Sequence, residues 1–288
     1  MGCAVGIDIG GSHIEGIAVS RDLRITGRCL VPIKGKVSKE EFLEELFLCA
    51  EKLCRRKKLK GIGIGVPGIV HDGIVLKSPN IPFLESTNLK GKMMKKFRTK
   101  VLVDNDVKCM AFGEMAKRKE KDILVLTLGT GVGGGIVVDG KLYRGKLFAG
   151  EIGHMTIKFD GYRCSCGNLG CFEEYASARG VRKISWRVFR KGLEPVEIFR
   201  LAQKRNKKAL AVWQEYGKVL GIGLSNLCFI LNPEVIVLGG GISKAYRYFG
   251  KAMKTEMERR LFIPMPRIAP GMPHGNAFGA ACMVLKCR

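Results

Sequence analysis

Ile123-Leu-Val-Leu-Thr127-Leu-Gly129-Thr130-Gly131-Val-Gly-Gly-Gly135-Ile-Val-Val138-Asp-Gly140-Lys-Leu-Tyr-Arg144 decides the fold, because it repeats a pattern from the start of the chain. It reads as a strand over Ile123–Thr127, a glycine turn from Gly129 to Gly135, and a strand over Ile136–Val138. An Asp139-Gly140 hairpin turn and a strand over Lys141–Arg144 complete it. The earlier copy runs Ala4–Ile9, a Gly10-Gly11 turn, Ile14–Val19, a Ser20-Arg21-Asp22 turn, and Leu23–Val31. At one constant offset Gly10 matches Gly129, Gly16-Ile17 matches Gly135-Ile136, Val19 matches Val138, and Leu23 matches Leu142. Glycines placed alike in two meanders, each followed by helices, predict an α/β chain of two related lobes with a cleft between them.

Other elements are placed by the same patterns. Ser38 and Glu41 make a capping box, opening a helix with Phe42, Leu43, Leu46, Phe47, Ala50, Leu53 and Cys54 on one face. Short buried strands are expected at Ile62–Val66 and Val101–Val103, the second running into Asn105-Asp106 and a helix to about Lys119. Helices follow over about 172–190, 195–205 and 207–231, then a strand at Val235–Leu238 ending in Gly239-Gly240-Gly241. A helix from about Ser243 to Leu261, a proline-broken stretch Ile263–Pro273 and an apolar helix from Ala277 finish the chain.

A length of 288 residues favours two lobes of roughly 100–150 residues. Hydrophobic residues at 46% supply a real core. The longest uncharged stretch, Val219–Pro233, includes Ser225, Asn226 and Asn232 and falls short of the roughly 20 apolar residues a span requires. The first residues enter a strand directly and fit neither a signal peptide nor a myristoylation site, so a cytoplasmic protein without membrane contact is expected. Of 11 cysteines, Cys3, Cys29, Cys49, Cys54, Cys109, Cys228, Cys282 and Cys287 are scattered and read as reduced thiols. A net charge of +24 would suit a nucleic-acid binder, and would equally attract ATP or polyphosphate. The concentrations at Arg55–Lys60, Lys90–Lys100 and Lys117–Lys121 lack interleaved aromatics and read as a solvated basic face, so no nucleic-acid partner is expected.

The remaining three cysteines stand together. His154 is followed by Cys164-Ser-Cys166-Gly167-Asn-Leu-Gly170-Cys171-Phe-Glu173. Three thiols and one imidazole make a closed tetrahedral Zn²⁺ set, and Gly167 and Gly170 allow the turn that brings the thiolates together. The competing reading is a group of buried free thiols. Glu151, His154 and Glu173 border the cluster, so a metal here could also hold polar groups for a substrate.

Three glycine turns can receive phosphate or nucleoside. Asp8-Ile-Gly10-Gly11-Ser12 puts a carboxylate at a strand end beside a hairpin whose N–H groups no Cβ shields, and Asp8 could hold Mg²⁺ directly or through water. Leu128-Gly129-Thr130-Gly131 is a second hairpin, with hydroxyls from Thr127 and Thr130. Gly239-Gly240-Gly241, between strand and helix, suits a flat adenine or ribose. Any one of them is more often only a turn; three in the order of a duplicated fold carry weight together. Neither the P-loop pattern nor a βαβ dinucleotide fingerprint accounts for them.

Taken in order, Asp8-Ile-Gly-Gly-Ser12, Val66-Pro-Gly68, Ser78-Pro-Asn80, Asn105-Asp106, Leu128-Gly-Thr-Gly131, Gly150-Glu-Ile-Gly-His154, the cysteine segment through Glu173 and Leu238-Gly-Gly-Gly-Ile-Ser243 resemble the successive signatures of the ROK family. That family comprises sugar kinases and repressors that share their sugar-binding body. The resemblance runs nearly end to end. It implies an actin-like ATPase fold with two RNase H-like lobes, residues 1–119 plus 276–288 forming one and 120–275 the other. It further implies a structural zinc on His154, Cys164, Cys166 and Cys171, and Mg²⁺-dependent transfer from ATP to the 6-hydroxyl of a hexose. Asp106 resembles the general base, although Asp after Asn at a helix start is by itself an ordinary N-terminal cap. By similarity Asn80, Asn105, Asp106, Glu151, His154 and Glu173 bind the sugar hydroxyls and the Gly68 backbone borders them. Asp8, Gly10, Gly11, Ser12, Thr127, Gly129, Thr130, Gly131, Gly239, Gly240 and Gly241 take the nucleotide. Glucose stands first among substrates, with mannose, fructose, N-acetylmannosamine and N-acetylglucosamine as alternatives, polyphosphate as a second donor, and a homodimer suggested by resemblance only.

Some positions depart from the family pattern. Ser12 replaces a commoner Thr, and His13, expected at the surface, stands where Lys is frequent. Lys108 occupies the place of a second Asn, and Lys146-Leu-Phe-Ala149 replaces a longer, Asn-Gly-containing stretch. A sugar-responsive repressor is the second reading, but only seven residues precede Asp8, leaving no room there for a DNA-binding domain. A sugar sensor without catalysis is a further reading. A zinc-stabilised nucleic-acid binder leaves the three glycine turns unexplained.

Overall fold

The repeated meander folds twice into the same sheet order. In the computed structural model, which describes residues 2–33, 38–55 and 58–286, the first copy forms β1 (Gly2–Ile9), β2 (His13–Ser20) and β3 (Ile25–Pro32). Helix α1 (Lys39–Cys54) follows, opened by the expected box: the Ser38 side chain accepts from the Glu41 N–H and the Glu41 carboxylate accepts from the Ser38 N–H. Next come β4 (Lys58–Val66), β5 (Ile69–His71), β6 (Ile74–Lys77), β7 (Thr87–Asn88), α2 (Leu89–Phe97), β8 (Val101–Asn105) and α3 (Asp106–Lys117). The second copy gives β9 (Ile123–Leu128), β10 (Val132–Val138) and β11 (Lys141–Tyr143). Helices α4 (Glu173–Ala176), α5 (Ala178–Phe189), α6 (Pro195–Gln203) and α7 (Lys207–Leu231) precede β12 (Val235–Gly239), α8 (Tyr246–Arg260), β13 (Arg267–Pro270) and α9 (Gly275–Lys286).

One sheet has the order β3-β2-β1-β4-β8 and another β11-β10-β9-β12-β13; β5, β6 and β7 form a small third sheet. In the first, β1 is antiparallel to β2 and parallel to β4, which is parallel to β8. In the second, β12 is parallel to both β9 and β13. The third, second, first, fourth and fifth strands of each copy therefore lie side by side in that sequence, which is the duplicated α/β arrangement the glycine spacing predicts.

Alternation sets what each face of the first sheet buries. Val5, Ile7 and Ile9 of β1 join Phe42, Leu46 and Leu53 of α1 in one core, while Ala4, Ile17 and Val19 join Ala277, Phe278 and Ala281 of α9 in another. Helix α9 comes so close to the sheet that a Cβ at Gly63 would lie 1.8 Å from the Ala280 carbonyl oxygen. Only glycine permits that contact.

The chain divides into two compact units. One comprises Met1–Lys121, Gly135–Phe148 and Met272–Arg288, the other Asp122–Gly134 and Ala149–Gly271. The sequence division differs in placing 120–121, 135–148 and 272–275 in the second lobe. The strand β10 changes unit at Gly135, where the absent side chain lets α3 lie against it: a Cβ there would fall 2.6 Å from Ala111 Cβ. In the second unit Trp213 and Tyr216 of α7 pack edge-to-face with centroids 5.6 Å apart, and Tyr216 does the same with Phe249 of α8 at 5.2 Å.

Several expected boundaries are corrected. β10 begins at Val132, so Gly133–Gly135 are strand and the turn is shorter than expected. The single helix expected over 172–190 breaks at Ser177, whose backbone is extended. The proline-broken stretch holds β13, an edge strand, where proline's missing N–H costs no ladder bond. Of the cysteines, ten are described and all are free thiols; Cys287, and Arg56 and Lys57 of one basic run, lie outside the described residues. Among the described residues no helix is long and apolar enough to cross a membrane.

Candidate active site

In the first unit, parallel pairing carries the acids to one end of the sheet. Asp8 near the end of β1 pairs with Gly65 of β4, and Gly65 pairs with Asp104 of β8. Asp106 opens α3 immediately afterwards. A Cβ at Gly65 would lie 3.2 Å from Asp106 Cα and 3.6 Å from Asp8 Oδ1, so this glycine is the floor beneath the Asp8 carboxyl group and the backbone of Asp106. The Asn105 Oδ1 caps α3 by accepting from the Val107 and Lys108 N–H groups at 3.0 and 3.1 Å. Its Nδ2 donates to the Gly68 carbonyl at 3.1 Å. Ser78 fastens the adjoining loop by donating to the Pro67 carbonyl at 2.6 Å. That loop presents exposed Asn80, whose Cβ is 4.0 Å from where a Gly11 Cβ would be. Gly10, Gly11, Gly68, Asn80, Asn105 and Asp106 are thus brought together, with Ser12 and His13 exposed beside them.

Asp8 is the electrostatic centre of this group. Burial pushes its pKa from 3.8 up to about 8, the Asp106 and Glu15 carboxylates push the same way, and the Asn276 side chain opposes them. Asn276 Nδ2 donates to Asp8 Oδ2 at 3.2 Å. A carboxyl group in that environment is prepared for a cation, which would replace the proton it otherwise retains. Because the folded pKa lies above the unfolded value, Asp8 contributes stability that is full below about pH 3.8 and is lost as pH rises to about 8. Asp8→Asn is therefore expected to raise the melting temperature of the ligand-free protein, with a gain that grows from pH 5 to pH 8. Differential scanning calorimetry across that range measures it, and a gain largest at pH 5 would contradict the assignment.

In the second unit the glycine hairpin joins β9 to β10. Gly129 N–H donates to the Gly131 carbonyl at 3.0 Å, and the Gly129 carbonyl accepts from Ala178 N–H, the first residue of α5, at 2.8 Å. The break at Ser177 thus places the positive end of a helix dipole beside the hairpin, a favourable place for an anion. Thr127 is partly buried and Thr130 exposed. The Val132 N–H donates to Glu173 Oε2 at 3.0 Å, and Arg179 holds Glu173 Oε1 at 2.5 Å. Glu173 is therefore committed on both oxygens, which its sequence motif does not reveal. Glu151 is exposed, and its carbonyl accepts from His154 N–H at 3.1 Å in a short turn.

The third glycine turn divides in function. Gly239 ends β12, buried; Gly240 has φ +81° and would clash with the Leu128 carbonyl oxygen at 2.4 Å if it carried a Cβ. Gly241 faces open space. With Gly129, Phe199, Trp213, Ile242 and Lys244 it lines a cavity of about 540 Å³. Gly129 belongs both to this cavity and to the hairpin, so a flat base and its phosphates could be held continuously within this unit.

The cysteine cluster draws four donor side chains close enough to share one ion. Nitrogen and sulfur ligand atoms of His154, Cys164, Cys166 and Cys171 all lie within 4.8 Å of one another. His154 Nδ1 is 3.7 Å from Cys164 Sγ, and Cys166 Sγ is 3.6 Å from Cys171 Sγ. A tetrahedron with metal–sulfur bonds of about 2.3 Å has edges of about 3.8 Å, so the residues fit zinc. Burial and the neighbouring thiols push Cys171 up to about 12, whereas a backbone hydrogen bond from Asn168 lowers Cys166.

Some participants carried no sequence signal. Asn276 and Arg144 are distant in sequence from the residues they touch, and only the fold brings them there, whereas Asp104 and Arg179 lie close to Asn105 and Glu173 in the chain but outside the motifs. Arg144 pairs with buried Asp104 at 2.6 Å, and Lys108, expected where a second Asn is usual, is buried and donates to the Leu147 carbonyl at 2.6 Å.

The model of the ROK family matches residues 4–284. The chain is 32% identical over 287 residues to a xylose repressor of Caldicellulosiruptor bescii, covering 91% of this chain and 72% of that protein. It is 33% identical over 293 residues to a glucokinase of Halalkalibacterium halodurans, covering 93% of this chain and 88% of that one. A crystal structure of a ROK family glucokinase from Streptomyces griseus in complex with glucose and AMPPNP superposes with a TM-score of 0.84 at 28% identity, over 97% of this chain and 98% of that one.

Proposed function

The chain belongs to the ROK family, and from that premise we propose that it transfers the γ-phosphoryl group of ATP to the 6-hydroxyl of a hexose, glucose first. The observation that supports this most is the pairing of Asp8 and Asp106 over Gly65, with Asn105 locked between the α3 cap and Gly68. Asp106 accepts the hydroxyl proton as the oxygen attacks phosphorus. Asn80, Asn105, Glu151, His154, Glu173 and the Gly68 backbone orient the sugar. The hairpin at Gly10, Gly11 and Ser12 and the hairpin at Thr127, Gly129, Thr130 and Gly131 receive phosphate oxygens. The cavity beside Gly241 takes the adenine. Mg²⁺, held by Asp8 directly or through water, neutralises the phosphate charge when bound. His154, Cys164, Cys166 and Cys171 would hold a zinc ion with all four positions taken by protein, and that ion would brace the segment carrying Glu173 and His154.

Similarity to xylose repressors supports a second reading, in which the chain binds a sugar without phosphorylating it. A coupled assay of ATP and Mg²⁺ against glucose, mannose, fructose, N-acetylglucosamine, N-acetylmannosamine and xylose tests both. Turnover on a hexose is expected; calorimetric sugar binding without turnover on any sugar selects the second reading.

The glycine beneath the two aspartates gives a sharper test. Gly65→Ala adds a methyl group 3.2 Å from Asp106 Cα. Moving the base by a few tenths of an ångström is expected to lower kcat on the order of tenfold with little change in the KM for hexose. A variant as fast as the wild type would remove Gly65 from the mechanism.

A further inference from the structure

Lys108 lies in the first turn of α3 and is only 8% exposed. An ammonium group withdrawn from water needs partners, because an uncompensated buried charge is strongly destabilising. Its Nζ donates to the Leu147 carbonyl at 2.6 Å. Leu147 belongs to the stretch that follows β11, in which Arg144, Gly145, Lys146 and Phe148 are all exposed and Gly145 has φ +53°. Little of this loop is held by apolar burial. It is tied instead at two points to the junction of β8 and α3: by Lys108, and by the ion pair from Arg144 Nη2 to Asp104 Oδ2 at 2.6 Å. Asp104 Oδ1 in turn accepts from the Asn105 N–H at 2.8 Å. The loop and the junction belong to one unit, and the junction carries Asn105 and Asp106.

The two clearest departures from the family pattern, lysine at 108 and the stretch at 146–149, are therefore in contact through one hydrogen bond. We infer that Lys108 is a positioning residue: it holds the 144–148 loop against the N-terminal turn of α3, and the loop so held sets the affinity for the hexose. The brace stands on the geometry alone, whereas its effect on affinity rests on the kinase reading above. An asparagine at 108 would be too short to make the same reach. Methionine would fill the space of the lysine stem and leave the Leu147 carbonyl without its donor.

Trypsin reads the brace without any assay of activity, because Arg144 and Lys146 are cleavage points inside the loop. Lys108→Met is expected to speed cleavage after residues 144 and 146, followed by mass spectrometry, on the order of tenfold as the opened loop becomes more populated. Lys108→Arg keeps the charge and the reach, and is expected to restore resistance. If Lys108→Met does not fold by circular dichroism, Lys108→Gln takes its place in the comparison. Cleavage as slow in the neutral variant as in the wild type would overturn the inference. In the coupled assay the same variant is expected to raise the KM for hexose on the order of tenfold. The KM for ATP, kcat and the pH dependence of kcat should stay close to wild type. A shifted pH profile with an unchanged hexose KM would place the role of Lys108 in the electrostatics of Asp106 and overturn the assignment to the loop. If the wild type phosphorylates no hexose, the kinase reading fails while the trypsin rates still decide the brace.

Discussion

Asp106→Asn is expected to lower hexose phosphorylation by about 10²–10⁴-fold while leaving sugar and ATP binding within a few-fold of wild type. Asparagine is the informative replacement because it preserves what the carboxylate does for the fold. Asp106 Oδ1 accepts from its neighbour's N–H, on Val107, at 3.0 Å, and an amide oxygen can do the same. The cap of α3 comes from Asn105, which the substitution leaves intact. What disappears is the capacity to take a proton, together with the negative charge that pushes the Asp8 pKa up. Steady-state kinetics in the coupled assay give kcat, and calorimetry with sugar alone gives the affinity. Retention of more than about a tenth of the wild-type rate would exclude Asp106 as the base. Loss of sugar binding in step with rate would make it a binding group instead.

Loss of the metal should have the second large effect. The protein is expected to contain about one zinc per chain, and Cys171→Ser or prolonged chelation should remove it. Structural zinc contributes apparent free energies of about 10–16 kcal/mol in zinc-finger peptides, comparable to the whole stability of a typical domain. The segment belongs to no regular sheet: two isolated bridges, Thr156 with Cys171 and Arg163 with Leu169, and loop hydrogen bonds such as Ile157 N–H to the Gly170 carbonyl at 2.9 Å and Phe172 N–H to the Met155 carbonyl at 2.8 Å hold it, and Phe159 on it is 87% exposed. Glu173 and His154 should lose their positions with it. The expected result is a melting temperature lower by on the order of 10 °C and a hexose affinity weaker by on the order of a hundredfold. Proton release on adding zinc back is expected too, since cysteine binds a metal as the thiolate. A zinc-free protein with unaltered melting and unaltered sugar affinity would refute both the metal and its bracing role.

How much of this was legible beforehand depends on the range of the interaction involved. The two meanders could be read because alternation and glycine turns are local, and the capping box at Ser38 and Glu41 is formed as its spacing requires. The cysteine cluster was legible for the same reason: its ligands are close in the chain and spaced by glycine. The hairpin of β5 and β6 carried a signal that the sequence reading passed over, the Asp72-Gly73 pair, whose φ angles of +48° and +80° are those of a tight turn. The break at Ser177 could not be read, because it follows from Ala178 turning its N–H to the Gly129 carbonyl across the fold. The commitment of Glu173 to Val132, and of Asp8 to Asn276, arises from tertiary placement alone.

The dependence of the first sheet on α9 bears on how the polypeptide is made. Ala4, Ile17 and Val19 of β1 and β2 are covered by Ala277, Phe278 and Ala281, which are translated more than two hundred residues later. One face of this sheet therefore waits, wet and sticky, while those residues are made, and the nascent chain is a natural client for a chaperone until α9 docks.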